Sequence, residues 1–175
     1  VKEKKVTFVG AKNYSVYYGN TVTYKIQIKD ANSGAVLPGK TVTFKINGKS
    51  KDVTTDKKGY ASYSVKLAAG SYEITATCNG YSVVKKITFK PTLTAKNISK
   101  KKAKTTKFTV KLVNKNGKVL KNKKITFKLK NKKYTAKTNS KGVATLSLKN
   151  LKVGKYTLTS SYGGCTIKNT ITIKK

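Results

Sequence analysis

The sequence predicts an all-β chain built from two similar sandwich domains in tandem. Three observations predict it. Apolar and polar residues alternate with period two through most of the 175 residues, as in strands that bury one face. Helical periodicity is absent. The second half of the chain also repeats the first at an offset of 83 or 84 residues, so both halves should share one fold.

The repeat is explicit in three blocks. AKNYSVYYGNTVTYKIQI at Ala11 answers to AKNISKKKAKTTKFTVKL at Ala95, and LPGKTVTFKINGKSKDVTTDKKGYASYSV at Leu37 answers to LKNKKITFKLKNKKYTAKTNSKGVATLSL at Leu120. GSYEITATCNGYSVVKKITF answers to GKYTLTSSYGGCTIKNTITI. The offset changes by one only in two segments expected to be loops. Domains at 1–90 and 91–175 follow, with the junction at Lys90-Pro91, where proline restricts its predecessor and suits a short stiff hinge.

Taken in order, Val22, Tyr24, Ile26 and Ile28 fall on one face of a strand, with Lys25, Gln27 and Lys29 on the other. Val42, Phe44 and Ile46 form the next, ending at Asn47-Gly48, a dipeptide that favours tight hairpins. Ala61, Tyr63, Val65 and Leu67 form another, then Tyr72, Ile74 and Ala76, then Val83, Ile87 and Phe89. The second half repeats these as Phe108, Val110, Leu112; Ile125, Phe127, Leu129; Ala144, Leu146, Leu148; Tyr156, Leu158; and Ile167, Ile171, Ile173. About seven short strands per repeat fit a two-sheet immunoglobulin-like sandwich, and a small barrel fits less well. TDKKGYA at Thr55 and TNSKGVA at Thr138 place Asp or Asn three residues before Gly, which suits an Asx turn closed at positive φ. GSY at Gly70 and GKY at Gly154 place a tyrosine at the start of the penultimate strand, either a tyrosine corner or an ordinary core residue.

The charge is extreme. Forty lysines face only Glu3, Asp30, Asp52, Asp56 and Glu73, giving a net charge of +35 with no arginine. The first repeat carries sixteen lysines and all five acids, net +11; the second carries twenty-four lysines and no acid, net +24. The densest stretch, KLVNKNGKVLKNKKITFKLKNKKY at 111–134, has the composition of a disordered polyanion-binding tail, but its twin in the first repeat is ordinary strand sequence. Ile125, Phe127 and Leu129 should face a core and Lys124, Lys128 and Lys130 should face water. Such density opposes compaction, so the second domain should be the less stable at low salt. An all-lysine surface points to nonspecific attraction for anions or to codon bias alone. The missing arginine removes the fork that normally reads phosphates and base edges.

Histidine, tryptophan and methionine are absent, which removes the commonest general base and metal ligand. No catalytic residue, cofactor or metal site is expected. No run of eighteen apolar residues occurs, and VKEKKVTFVG is neither an initiator methionine nor a signal peptide. This reads as a segment of a longer chain, with any secretion signal or anchor outside it.

With these motifs in order, the sequence resembles the tandem bacterial-type Ig-like repeats of adhesin-like surface proteins, notably those of methanogenic archaea. Carrying the resemblance are Tyr17-Tyr18-Gly19-Asn20, TVTFKINGK at Thr41, both T-[DN]-x-x-G turns, both G-x-Y turns and NTITI at Asn169. The second repeat departs from it at KKKAK, where the first has YYGN. What the resemblance implies is a non-enzymatic fragment of a secreted, anchored, extracellular protein whose repeats act as a stalk or an adhesive module. Its expected partners are cell-surface or wall polymers, anionic glycans or another cell's surface. Specific nucleic-acid binding and membrane contact are not expected, and the fragment should be a monomer.

Among candidate sites, Lys100, Lys101 and Lys102 with Lys130, Lys132 and Lys133 would form a patch for an anionic wall polymer or glycan, the alternative being a solvated strand face. Cys78 and Cys165 are not equivalent in the repeat, one lies in each domain, and a bond between them is not expected. Free thiols or an intermolecular cross-link remain. A Lys96–Asn169 isopeptide bond lacks the neighbouring carboxylate that its chemistry requires. Asp30, Asp52 and Asp56 are too scattered for calcium, and no thioester motif surrounds Gln27 or either cysteine.

Overall fold

The computed structural model describes residues 3–175. The described residues form sixteen strands and no helix, gathered into one compact unit ending at Lys90 and another spanning Pro91–Lys175.

In the first unit, β1 (Val6–Val9), β3 (Val22–Asp30) and β6 (Tyr60–Val65) form a three-stranded sheet in the order β1-β3-β6. The facing sheet is five-stranded. It is ordered β2-β8-β7-β4-β5 from β2 (Tyr14–Tyr17), β4 (Thr41–Ile46), β5 (Lys49–Thr54), β7 (Gly70–Cys78) and β8 (Tyr81–Lys90), and only β2–β8 is parallel. The second unit repeats this arrangement. Its smaller sheet is β14-β11-β9, from β9 (Leu93–Thr94), β11 (Thr105–Leu112) and β14 (Val143–Lys149). Its larger sheet is β10-β16-β15-β12-β13, from β10 (Ile98–Lys101), β12 (Lys124–Leu129), β13 (Lys132–Lys137), β15 (Gly154–Tyr162) and β16 (Cys165–Lys174). Each unit is an immunoglobulin-like sandwich with eight strands, not seven. The eighth arises because the first strand breaks, near Gly10 (φ +86°) in the first unit and between Thr94 and Ile98 in the second, so the chain leaves the edge of one sheet and joins the edge of the other.

The expected inward residues line the cores. Val22, Tyr24, Ile26 and Ile28 pack with Val42, Phe44, Ile74, Ile87 and Phe89; Tyr24 meets Phe44 edge-on at 5.9 Å between ring centres. In the second unit Phe108, Val110, Leu112, Ile125, Phe127, Leu158 and Ile171 are buried. Burial of a side chain such as Phe127 contributes roughly 1.5–3 kcal/mol, enough to hold a lysine-dense strand in the sheet. Tyr63, Tyr72, Val83, Tyr156 and Ile167 are only half-buried, and Leu67 lies beyond the end of β6.

Both turn motifs form as expected. Asp56 Oδ1 accepts the amides of Lys58 and Tyr60 at 2.9 Å, and Asn139 Oδ1 accepts those of Lys141 and Val143 at 2.9 and 3.0 Å. Gly59 (φ +81°) and Gly142 (φ +75°) close them, and a Cβ there would lie 2.9 Å from Ile28 O or 2.7 Å from Leu112 O, so glycine is required. Both tyrosines form corners: Tyr72 Oη donates to Ala68 O at 2.8 Å and Tyr156 Oη to Lys152 O at 2.7 Å. Asn47 (φ 52°) and Gly48 (φ 74°) make the β4–β5 hairpin.

Candidate functional site

Alternation along each strand sorts the side chains of the second unit's five-stranded sheet into two faces. Ile125, Phe127, Leu129, Leu158 and Ile171 point into the sandwich. The outer face carries Lys124, Thr126 and Lys128 on β12; Lys133, Thr135 and Lys137 on β13; Lys155, Thr157, Thr159 and Ser161 on β15. It continues with Thr166, Lys168, Thr170, Thr172 and Lys174 on β16 and with Ser99 and Lys101 on β10. Every one of these residues is lysine, threonine or serine. Pairing sets lysines directly opposite one another, Lys124 to Lys137 and Lys128 to Lys133, and extends the second pair through Thr159 to Lys168. That row crosses four neighbouring strands, about 14 Å at 4.8 Å per strand.

The corresponding face of the first unit is different. It holds Lys45, Lys86 and Lys90 against Asp52 and Glu73, net +1, whereas the second unit's face holds eight lysines, net +8. Glu73 pairs across strands with Lys86, Thr43 Oγ1 donates to Asp52 Oδ1 at 2.6 Å, and Lys90 Nζ sits 4.1 Å from the centre of the Tyr17 ring. The outer side of the three-stranded sheet shows no such gain: it carries three lysines in each unit, Lys25, Lys29 and Lys66 in the first and Lys107, Lys111 and Lys149 in the second. Of the thirteen charges by which the second unit exceeds the first, seven fall on this one sheet face.

At two of the acidic positions asparagine takes over the turn hydrogen bonds. Asp30 Oδ1 accepts the amides of Asn32 and Ser33; its counterpart Asn114 accepts those of Asn116 and Lys118. Asp56 and Asn139 are related in the same way. Backbone amides of Asn32 and Ser33 hold the Asp30 carboxyl below its ordinary range, and those of Tyr60 and Lys58 do so for Asp56.

The lysines singled out by sequence are divided by this geometry. Lys101 and Lys133 lie on the outer face, but on β10 and β13, the opposite edges of the sheet. Lys100 points to the other side of β10, where with Lys101, Ala103 and Thr105–Lys107 it lines an open crevice of about 300 Å³. Lys102 follows the strand, its amide bonded to Lys174 O. Lys130 occupies the hairpin turn at φ 53° with its Nζ 5.2 Å from the Tyr156 ring centre, and Lys132 shares the register of inward Leu129. The other lysines of the face, above all Lys124, Lys128, Lys137 and Lys168, were not among the sequence-based site candidates.

A second crevice recurs in both units where the first strand breaks. In the first it is lined by Lys12, Tyr14, Lys25, Gln27 and Tyr60, with Lys12 Nζ over Tyr14 at 5.1 Å and Lys25 Nζ over Tyr60 at 4.4 Å. In the second, Lys96, Ile98, Thr109, Lys111 and Val143 take these places, and Asn169 Nδ2 donates to Ala95 O and to Asn97 Oδ1, both at 3.2 Å. Cys78 and Cys165 are both free thiols with about 2% of their surface exposed, and burial pushes the Cys78 thiol up. Burial, reinforced by Tyr14, also pushes the Tyr24 phenol up to about 12. Among the described residues, no three His, Cys, Asp or Glu side chains gather in one place.

No curated protein sequence matches the chain. Among solved structures, it is similar to the I9-I11 tandem of titin (14% identity, TM-score 0.43, covering 96% of this chain and 65% of that one). It is also similar to the adhesin InvE of Yersinia pseudotuberculosis (18%, 0.39, 99% and 61%) and to invasin, a bacterial integrin-binding protein (18%, 0.43, 97% and 38%). The chain thus spans less than two thirds of each of these structures. The sequence pattern of the bacterial Ig-like domain (group 3) matches residues 9–96, and that of the bacterial Ig-like domain (group 1) matches residues 90–174. With two matching patterns end to end over two sandwiches of the same topology, this chain belongs to the bacterial Ig-like domains.

Proposed function

We propose that the chain is a non-enzymatic part of a cell-surface, adhesin-like protein, and that its Ig-like domains, 1–90 and 91–175, serve as a stalk or adhesive module. The observation that carries this is tandem duplication of one sandwich, each copy with its own core and its own corner and turn devices. Such a unit can be strung in series to hold a surface away from an anchor. Polar side chains such as Asp56 and Asn139 serve the turns that close each sandwich. Adhesin InvE and invasin carry their own names for attachment, and a role of that kind is the one proposed here. Antibodies raised against the purified chain should label intact, unpermeabilised source cells. Labelling only after permeabilisation would contradict the proposal.

A further inference from the structure

We infer that the outer face of the β10-β16-β15-β12-β13 sheet is a docking surface for an extended acidic polysaccharide. The inference rests on surface display only for where such a polymer would be met; binding is a property of the chain itself. Charge complementarity is the first argument. Lys128, Lys133 and Lys168 lie in one cross-strand row, Lys124 and Lys137 lie two rows away beyond Thr126 and Thr135, and no carboxylate lies on the face. A linear polymer crossing the strands would meet an ammonium group every one or two strand spacings, about 5–10 Å, which suits a chain with an anionic group on each sugar or disaccharide.

The second argument is that the charge is placed. The five-stranded face rises from +1 to +8 between the units while the opposite sheet carries three lysines in both, so a uniform drift toward lysine does not account for it. Positions that offer Thr41, Ser50, Thr54 and Val84 in the first unit become Lys124, Lys133, Lys137 and Lys168. Asp56 becomes Asn139, which builds the same turn, and Asp30 becomes Asn114, which accepts two amides in a loop one residue shorter. Charge has changed while the strand order has not.

The third argument concerns the residues between the lysines. Thr126, Thr135, Thr157, Thr159 and Thr170 offer hydroxyls that donate to carboxylates and exchange hydrogen bonds with sugar hydroxyls. The face has no aromatic side chain on which a base could stack, and the protein has no arginine, which disfavours nucleic acid. It also lacks the apolar anchors that centre protein interfaces or enter lipid.

The test uses the whole chain against polygalacturonate, dextran sulfate, neutral dextran and a 20-base-pair DNA duplex in 50 mM salt. The acidic polysaccharides should bind and neutral dextran should not. Lys128→Gln/Lys133→Gln/Lys168→Gln should weaken polygalacturonate binding about tenfold or more and flatten its salt dependence, because three ammonium contacts are lost. Lys107→Gln/Lys111→Gln/Lys149→Gln removes the same charge from the opposite sheet and should change binding less than about threefold. Arginine at 128, 133 and 168 should keep binding, which separates lost charge from a damaged fold. Equal losses in the two glutamine variants would overturn the inference, as would equal binding of neutral dextran or tighter binding of DNA than of either acidic polymer. None of these results depends on where the source cell displays the protein.

Discussion

Lys128→Glu should stabilise the second unit, and by an amount set by salt. Lys128 stands directly opposite Lys133, with Lys168 beyond Thr159 in the same row. Side chains so placed have Cβ atoms about 5 Å apart. Two ammonium groups about 6 Å apart repel by about 0.7 kcal/mol in water. Glutamate turns that repulsion into an attraction of similar size, so the gain should be about 1–1.5 kcal/mol in 10 mM salt, where the screening length is about 30 Å. In 1 M salt, where that length is about 3 Å, less than about 0.3 kcal/mol should remain. Urea unfolding followed by the amide resonances of each unit would measure it. Lys45→Glu, the equivalent change in the first unit, should bring no gain, because Lys45 faces Ser50 and Thr75. A gain of equal size at both salt concentrations would refute the reasoning, since only a screened repulsion has this salt dependence.

Three other outcomes follow from the same geometry. Gly142→Ala should cost about 3 kcal/mol or more by urea unfolding, because it adds a contact with Leu112 O to the cost of a left-handed backbone, whereas Gly34→Ala, at φ +77° in open space, should cost about 1 kcal/mol. Asp56 is held below its ordinary value of 3.8, so the stability it gives is complete above that value and is lost as pH falls through the lowered one; Asp56→Asn should flatten this acid sensitivity of the first unit and Asn139→Asp should create it in the second, as read from unfolding midpoints between pH 2 and 6 (~4 units). Cys78 and Cys165 should resist a thiol reagent in the native protein and react fully in urea, and rapid stoichiometric reaction in the native state would contradict their burial.

Sequence showed the parts of the fold in which one face is buried and the other wet. Tyr24, Ile26 and Ile28 alternate with lysine and glutamine because β3 is central to its sheet, and the core there is as expected. Edge strands leave no such trace: β5 reads KSKDVT with no buried residue, and β9 has only two residues. The broken first strand went unread because Gly10 to Asn13 marks a break without saying that the chain changes sheet. At the candidate face, sequence drew attention to clustered lysines, Lys100, Lys101 and Lys102 with Lys130, Lys132 and Lys133, although consecutive residues on a strand point to opposite sides. The useful signal was lysine or threonine at every second position, Lys124, Thr126, Lys128 and, across the hairpin, Lys133, Thr135, Lys137. Uniting them with Lys168 needs the strand order, in which β15 and β16 lie beside β12, and order between distant segments is not carried by local pattern.

Amide hydrogen exchange across residues 124–137 tests most directly whether the lysine-dense segment is a strand whose charges occupy one face. β12 lies between β13 and β15, so the amides of Thr126–Leu129 should exchange only through opening of the whole second unit, while Lys130 and Asn131 in the turn exchange fast. Exchange of Thr126–Leu129 at the rate of an unstructured peptide would contradict the sandwich and, with it, the face built on it.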